Sequence, residues 1–106
     1  MTNPKEELTH FAKQITKGIE LVKNKQEQKA LQILAPFVHL MKESGTNHIR
    51  LFSYYAIAEL RTGDIDGFVE SYLAVKEMPA ATKEEEDMQS KLEGLFHSVF
   101  DELNKN

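Results

Sequence analysis

Apolar residues recur at steps of three and four along most of the chain, which is the spacing of one face of an α-helix. The first stripe is Leu8, Phe11, Ala12, Ile15, Ile19 and Val22. Asn3 before Pro4, with Glu6 following, is a helix start: a capping side chain and then a proline in the first turn. Asn24–Lys25–Gln26 ends this segment. A second runs from Glu27 to about Glu43, with Ala30, Leu31, Leu34, Phe37, Val38 and Met41 on its apolar face. Pro36 lies inside it and predicts a kink or break, because proline lacks the backbone donor and crowds the preceding turn. Ser44–Gly45–Thr46–Asn47 is a loop.

A third helix is expected from Asn47 or His48 to Thr62, carrying Phe52, Tyr55, Ala56 and Leu60. Gly63–Asp64 stops it. A fourth covers Ile65 to Glu77, carrying Phe68, Val69, Tyr72 and Leu73, and Met78–Pro79–Ala80–Ala81 breaks the chain again. Thr82 and Glu85 form a capping box for a fifth helix, whose stripe is Met88, Leu92, Leu95, Phe96, Val99 and Leu103. Val and Thr are sparse, and no stretch alternates with period two for long. The fold class is therefore all-α with about five helices in one domain over residues 1–106.

Composition narrows the functional classes. The 106 residues include no cysteine, which excludes disulfides, zinc ribbons, iron–sulfur clusters and thiol catalysis. No apolar run approaches the roughly 20 residues of a membrane helix. Met1 to Glu7 is polar and mildly acidic, unlike a secretion signal. The expected compartment is the cytoplasm, with no membrane partner. Net charge is −4 with a pI near 5.5, against the basic footprint that nucleic-acid binding needs. Charge divides unevenly, at +3 over residues 1–50 and −7 over 51–106. That asymmetry favours attraction between the halves or head-to-tail association. The run Glu84–Glu85–Glu86–Asp87 fits the first turn of the fifth helix, where acids complement the positive helix end.

The first four helices pair as two hairpins with matching landmarks. Gly18 and Ala56 take the small position of each leading helix, with Ala30 and Phe68 at the packing position of each following one. Both pairs are separated by 38 residues. In the second hairpin Phe52, Tyr55 and Ala56 follow a bulky–x–x–bulky–small pattern, Gly63–Asp64 marks the turn, Phe68 and Tyr72 lie four apart, and Pro79 ends the unit. On these residues the chain resembles a tetratricopeptide-repeat protein, with residues 11–80 as two divergent repeats and 82–103 as a C-terminal amphipathic helix. The pattern departs from the family at Glu59, where an aromatic is usual, at Phe68, where alanine is usual, at Pro36, and in a spacing longer than about 34 residues. The alternative architecture is a generic up-down helical bundle.

No catalytic signature emerges. Glu7-x-x-His10 has the spacing of half a di-iron carboxylate site, but the second pair and the two further glutamates are missing. His39 with Glu43, and Glu93–His97–Asp101, have helical i, i+4 spacing and read as surface charge pairs. The serines lack a base and an elbow, and Gly63-x-x-x-Gly67 lacks the lysine of a phosphate loop. The expectation is no enzyme, no metal and no cofactor.

Binding is the better-supported class. The resemblance implies a groove lined by the leading helix of each repeat. Carried over by position, the groove residues are Arg50, Ser53, Ile57 and Arg61 in the second repeat and Ala12, Ile15, Ile19 and Lys23 in the first. The isoleucines depart from the family's carboxylate-holding clamp, while Arg50 and Arg61 suit an acidic segment. Tyr54 lies off the core stripe and joins the arginines as a contact patch. The expected site is thus Arg50, Ser53, Tyr54, Ile57 and Arg61, serving a protein or peptide partner. The stripe Ala12–Ile15–Ile19–Val22 needs a cover, for which the fifth helix is the candidate. It docks in cis, docks in trans to make a homodimer, or moves aside for a partner. The function class is a non-catalytic protein–protein interaction module. The alternative is an intracellular sequestering protein, such as an antitoxin or immunity factor, with specificity near Glu84–Asp87.

Overall fold

A computed structural model describes the backbone of residues 4–105 and the side chains of residues 9–105. The proposed cap at Asn3 and the side chains of Glu6, Glu7 and Leu8 lie outside that range. Among the described residues there are five helices and no strand: α1 (Pro4–Lys23), α2 (Glu27–Ser44), α3 (Ile49–Arg61), α4 (Ile65–Lys76) and α5 (Lys83–Leu103).

Local chemistry sets the boundaries. The first three helix ends share one turn, in which two backbone N–H groups reach back to the last carbonyls. After α1, Gln26 N–H bonds Leu21 O and Lys25 N–H bonds Val22 O; after α2, Thr46 N–H bonds Met41 O and Gly45 N–H bonds Lys42 O; after α3, Asp64 N–H bonds Glu59 O and Gly63 N–H bonds Leu60 O. The turn needs a left-handed residue, which is Gly45 at φ 68°, Gly63 at φ 89° and, with a side chain, Lys25 at φ 61°. The starts of α3, α4 and α5 are capped by side chains, whereas Gln26 at the start of α2 makes no side-chain cap. His48 Nδ1 accepts from Leu51 N–H at 3.1 Å, and Asp64 Oδ1 accepts from Gly67 N–H at 2.9 Å. Thr82 Oγ1 accepts from Glu85 N–H at 3.1 Å, while Glu85 Oε1 accepts from Ala81 N–H at 2.7 Å. The box at α5 therefore closes one residue earlier than the expected Thr82 N–H.

Pro36 does not break α2, which runs continuously from Glu27 to Ser44. The proline is exposed, so its ring points to solvent. Leu34 and Val38 on either side are 0% and 3% exposed, and their packing holds the helix through the missing hydrogen bond.

The helices stack in two layers. Each helix packs on the next, and α3 also packs on α1 and α5; among the described residues α1 and α5 do not meet, nor do α2 and α4. So α1, α3 and α5 form one layer, and α2 and α4 cover the seams between them. The stack stays open, measuring 59 × 28 × 24 Å. Its radius of gyration of 14.4 Å exceeds the roughly 13 Å expected for a spherical chain of this length.

The α1 stripe is covered differently from expectation. Ile15, Ile19 and Val22 are buried, but by α2 and α3; α5 packs on α3 and α4. Close approach of α1 to α2 depends on Gly18, where a side-chain carbon would collide with the fully buried Leu34. α3 is the hub: Leu51, Phe52, Ala56 and Ala58 are all buried to within 1%, so the helix is enclosed on more than one face.

Candidate functional site

Two helix faces with the same spacing meet across the seam between α3 and α5. On α3 the face is Arg50, Ser53, Tyr54 and Ile57; on α5 it is Glu84, Asp87, Met88 and Lys91. Both sets are i, i+3, i+4, i+7, which places each on one side of its helix. Ser53, Tyr54 and Ile57 line a cleft of about 200 Å³ together with all four α5 residues. Tyr54 and Met88, both half-buried, supply its apolar surface, and Ile57, 5% exposed, belongs to the core behind them. Arg50 stands at one end, its Nε 3.9 Å from Glu84 Oε1.

Hydrogen-bond bookkeeping is incomplete here. Ser53 is 1% exposed and its Oγ has no hydrogen-bond partner. A serine within a helix usually relaxes by donating to the carbonyl four residues back. Ser98 does so with Gly94 O at 3.1 Å, and Thr62 does so with Ala58 O at 2.9 Å. Ser53 does not. Arg50 Nε is also buried without a hydrogen-bond partner. Leaving a buried polar group unpaired costs about 1–3 kcal/mol, and here two such groups lie one helical turn apart.

Arg61, the fifth expected residue, lies elsewhere. Its NH1 donates to Val22 O at 3.3 Å and lies 3.5 Å from Glu27 Oε1. It thereby joins the end of α3 to the turn between α1 and α2. The first-repeat positions divide as well. Ala12 and Lys23 are exposed, whereas Ile15 and Ile19 belong to the core. Lys23 reaches across to Tyr54, its Nζ 5.7 Å from the ring centroid. Tyr72 is core and stacks on Phe96 with ring centroids 4.6 Å apart, while Tyr55 is half-buried.

Of the α5 wall, Glu84 and Asp87 were expected only under the alternative sequestering reading, and Met88 and Lys91 were not expected at the site at all. Its acids fit the helix-dipole role and Met88 fits the core stripe, which hides the second pattern formed by Glu84, Asp87, Met88 and Lys91. That i, i+3, i+4, i+7 set, repeating the spacing on α3, is the signal that marks it.

A second polar cluster lies on the opposite side of α3. Glu59 is 6% exposed and accepts a 2.6 Å hydrogen bond from Ser71 Oγ. Burial, aided by the nearby Asp64 and Glu70 charges, pushes its carboxyl up to about 7; the Ser71 bond and Lys42 oppose the shift. The ionised form is therefore disfavoured in the folded chain. The associated stability is fully present below the unfolded value near 4.5 and is lost as pH rises through 7. Glu59→Gln is expected to unfold at the same urea concentration as the parent at pH 4. At pH 8 it is expected to be more stable by about 1–2 kcal/mol. Equal stability of the two at pH 8 would show that the carboxylate is well solvated.

The histidine pairs are surface features. His39 Nε2 lies 3.1 Å from Glu43 Oε1 and His97 Nε2 lies 3.8 Å from Glu93 Oε1, all of them exposed. Among the described residues no three His, Cys, Asp or Glu side chains gather to hold a metal, and no helix is long and apolar enough to cross a membrane. Comparison with protein-family models, with curated proteins and with solved structures finds no match to this chain.

Proposed function

We propose that the protein is a non-catalytic interaction module of the cytoplasm that holds a segment of a partner protein in the cleft between α3 and α5. The observation that carries this reading is the unpaired, buried Ser53 Oγ beside the apolar surface of Tyr54 and Met88. Small clefts with apolar walls and a few convergent polar groups suit a side chain from a partner. A tetratricopeptide-like arrangement is supported by the layering, in which α1, α3 and α5 adjoin while α2 and α4 cover their seams. Gly18 packs closely on Leu34 in the first hairpin, and Ala56, Phe68 and Tyr72 are buried in the second, as that reading requires.

Panning a random displayed-peptide library on the full chain tests this directly. Recurrent sequences are expected. Synthetic copies of them are expected to shift the amide resonances of Ser53, Tyr54, Ile57, Met88 and Lys91. No enrichment, or shifts confined to another surface, would overturn the reading.

A further inference from the structure

The polar groups around the α3–α5 cleft carry both signs of charge. Glu84 faces Arg50 at a loose 3.9 Å, and Asp87 Oδ1 lies 3.5 Å from Lys83 Nζ. Three donors at the cleft have no short partner. Lys91 lines the cleft and forms no ion pair among the described residues, while Ser53 Oγ and Arg50 Nε have no hydrogen-bond partner. All three can donate, and two of them can donate nothing but a charge-assisted bond. A group that complements these donors is an acceptor with more than one oxygen.

Resting on the interaction-module reading, we propose that the cleft takes an aspartate or glutamate side chain of the partner segment, flanked by a large apolar residue. The carboxylate accepts from Ser53 Oγ and Lys91, with the Arg50 guanidinium adding charge from the end of the cleft. The apolar neighbour rests on Tyr54 and Met88. Lys23, held over the Tyr54 ring, adds a further positive charge beside that face. Glu84 is the internal stand-in. At 3.9 Å its carboxylate is beyond the roughly 2.7–2.9 Å of a seated charge-assisted bond, so it faces Arg50 without satisfying it. An incoming carboxylate competes with Glu84 for the guanidinium.

Three synthetic twelve-residue peptides, identical except for Asp, Asn or Lys at the centre beside a leucine, provide the probes. Titrated into the full chain and followed by amide resonances, the Asp peptide is expected to shift Ser53 and Lys91. It is expected to bind about tenfold more tightly than the Asn or Lys peptide. Lys91→Glu, at an exposed position, is expected to remove that preference while leaving the fold intact. Glu84→Gln is expected to strengthen binding of the Asp peptide. If the Lys or Asn peptide occupies the cleft as tightly as the Asp peptide, the acidic specificity is wrong while segment binding stands. If no probe shifts the cleft but library-selected peptides do, the specificity is wrong in the same way. If neither set shifts it, both proposals fall.

Discussion

Phe52→Ala is expected to lower the free energy of unfolding by about 3–5 kcal/mol, the range for removing a buried phenylalanine ring. Phe52 is 1% exposed on α3, the helix that packs on all four others. The ring leaves a void that neighbours on several elements must close together, and a rigid stack closes such voids poorly. Small domains are stable by only about 5–15 kcal/mol, so this variant stands near the edge of folding. Urea unfolding followed by circular dichroism measures the loss. Leu73→Ala is the control: Leu73 is 49% exposed on α4, and its removal is expected to change stability by less than about 0.5 kcal/mol. A loss below about 1 kcal/mol at Phe52 would mean that α3 does not anchor the stack.

Leu92→Ala carries the second large effect, about 2–5 kcal/mol. Leu92 is the one buried residue on α5 and is 0% exposed. Its neighbours along the stripe, Met88, Leu95, Phe96 and Val99, are only partly buried, and Phe100 and Leu103 are 53% and 68% exposed. The docking of α5 onto α3 and α4 thus concentrates on one side chain, reinforced by the Phe96–Tyr72 stack and by Gln89 Nε2. That amide donates to Met78 O at 2.7 Å and to Val75 O at 3.1 Å, satisfying carbonyls at the end of α4. Because α5 forms one wall of the cleft, loss of Leu92 is expected to weaken peptide binding as well as stability. Full binding by a variant whose α5 is loosened would place the binding site elsewhere.

Much of the fold was legible in the sequence because helix-forming signals are local. The five elements, their glycine stops and the Thr82 cap depend on residues within a turn of each other. Gly18 was legible as a small position on α1 and Leu34 as a member of the α2 stripe, but that the two meet is a contact between helices that neither local pattern states. The seating of α5 was not. Its stripe is equally compatible with the α1 face and with α3 and α4, and periodicity says which side is apolar but not what covers it. Pro36 was misread for a related reason. The local cost of a proline is real, but Leu34 and Val38 packed on other helices outweigh it.

The site was legible by half. Arg50, Ser53, Tyr54 and Ile57 share one helix face, which spacing reveals. Arg61 is on the same helix yet joins a turn 39 residues earlier, a contact that no local pattern encodes. Glu59 was visible only as a departure from the repeat pattern. Its meaning as a buried acid bonded to Ser71 required α4 to be placed against α3.

Hydrogen exchange of individual amides in the full chain, measured at two protein concentrations about a hundredfold apart, tests the central claim that α5 docks within its own chain and so builds the cleft. The amides of Leu92, Leu95 and Phe96 are expected to be protected, as those of Phe52 and Ala56 in the hub helix are, and equally at both concentrations. Exchange of α5 at the rate of a free peptide, or protection that disappears on dilution, would contradict it. The first result would mean that the helix does not dock, and the second that it docks on another copy.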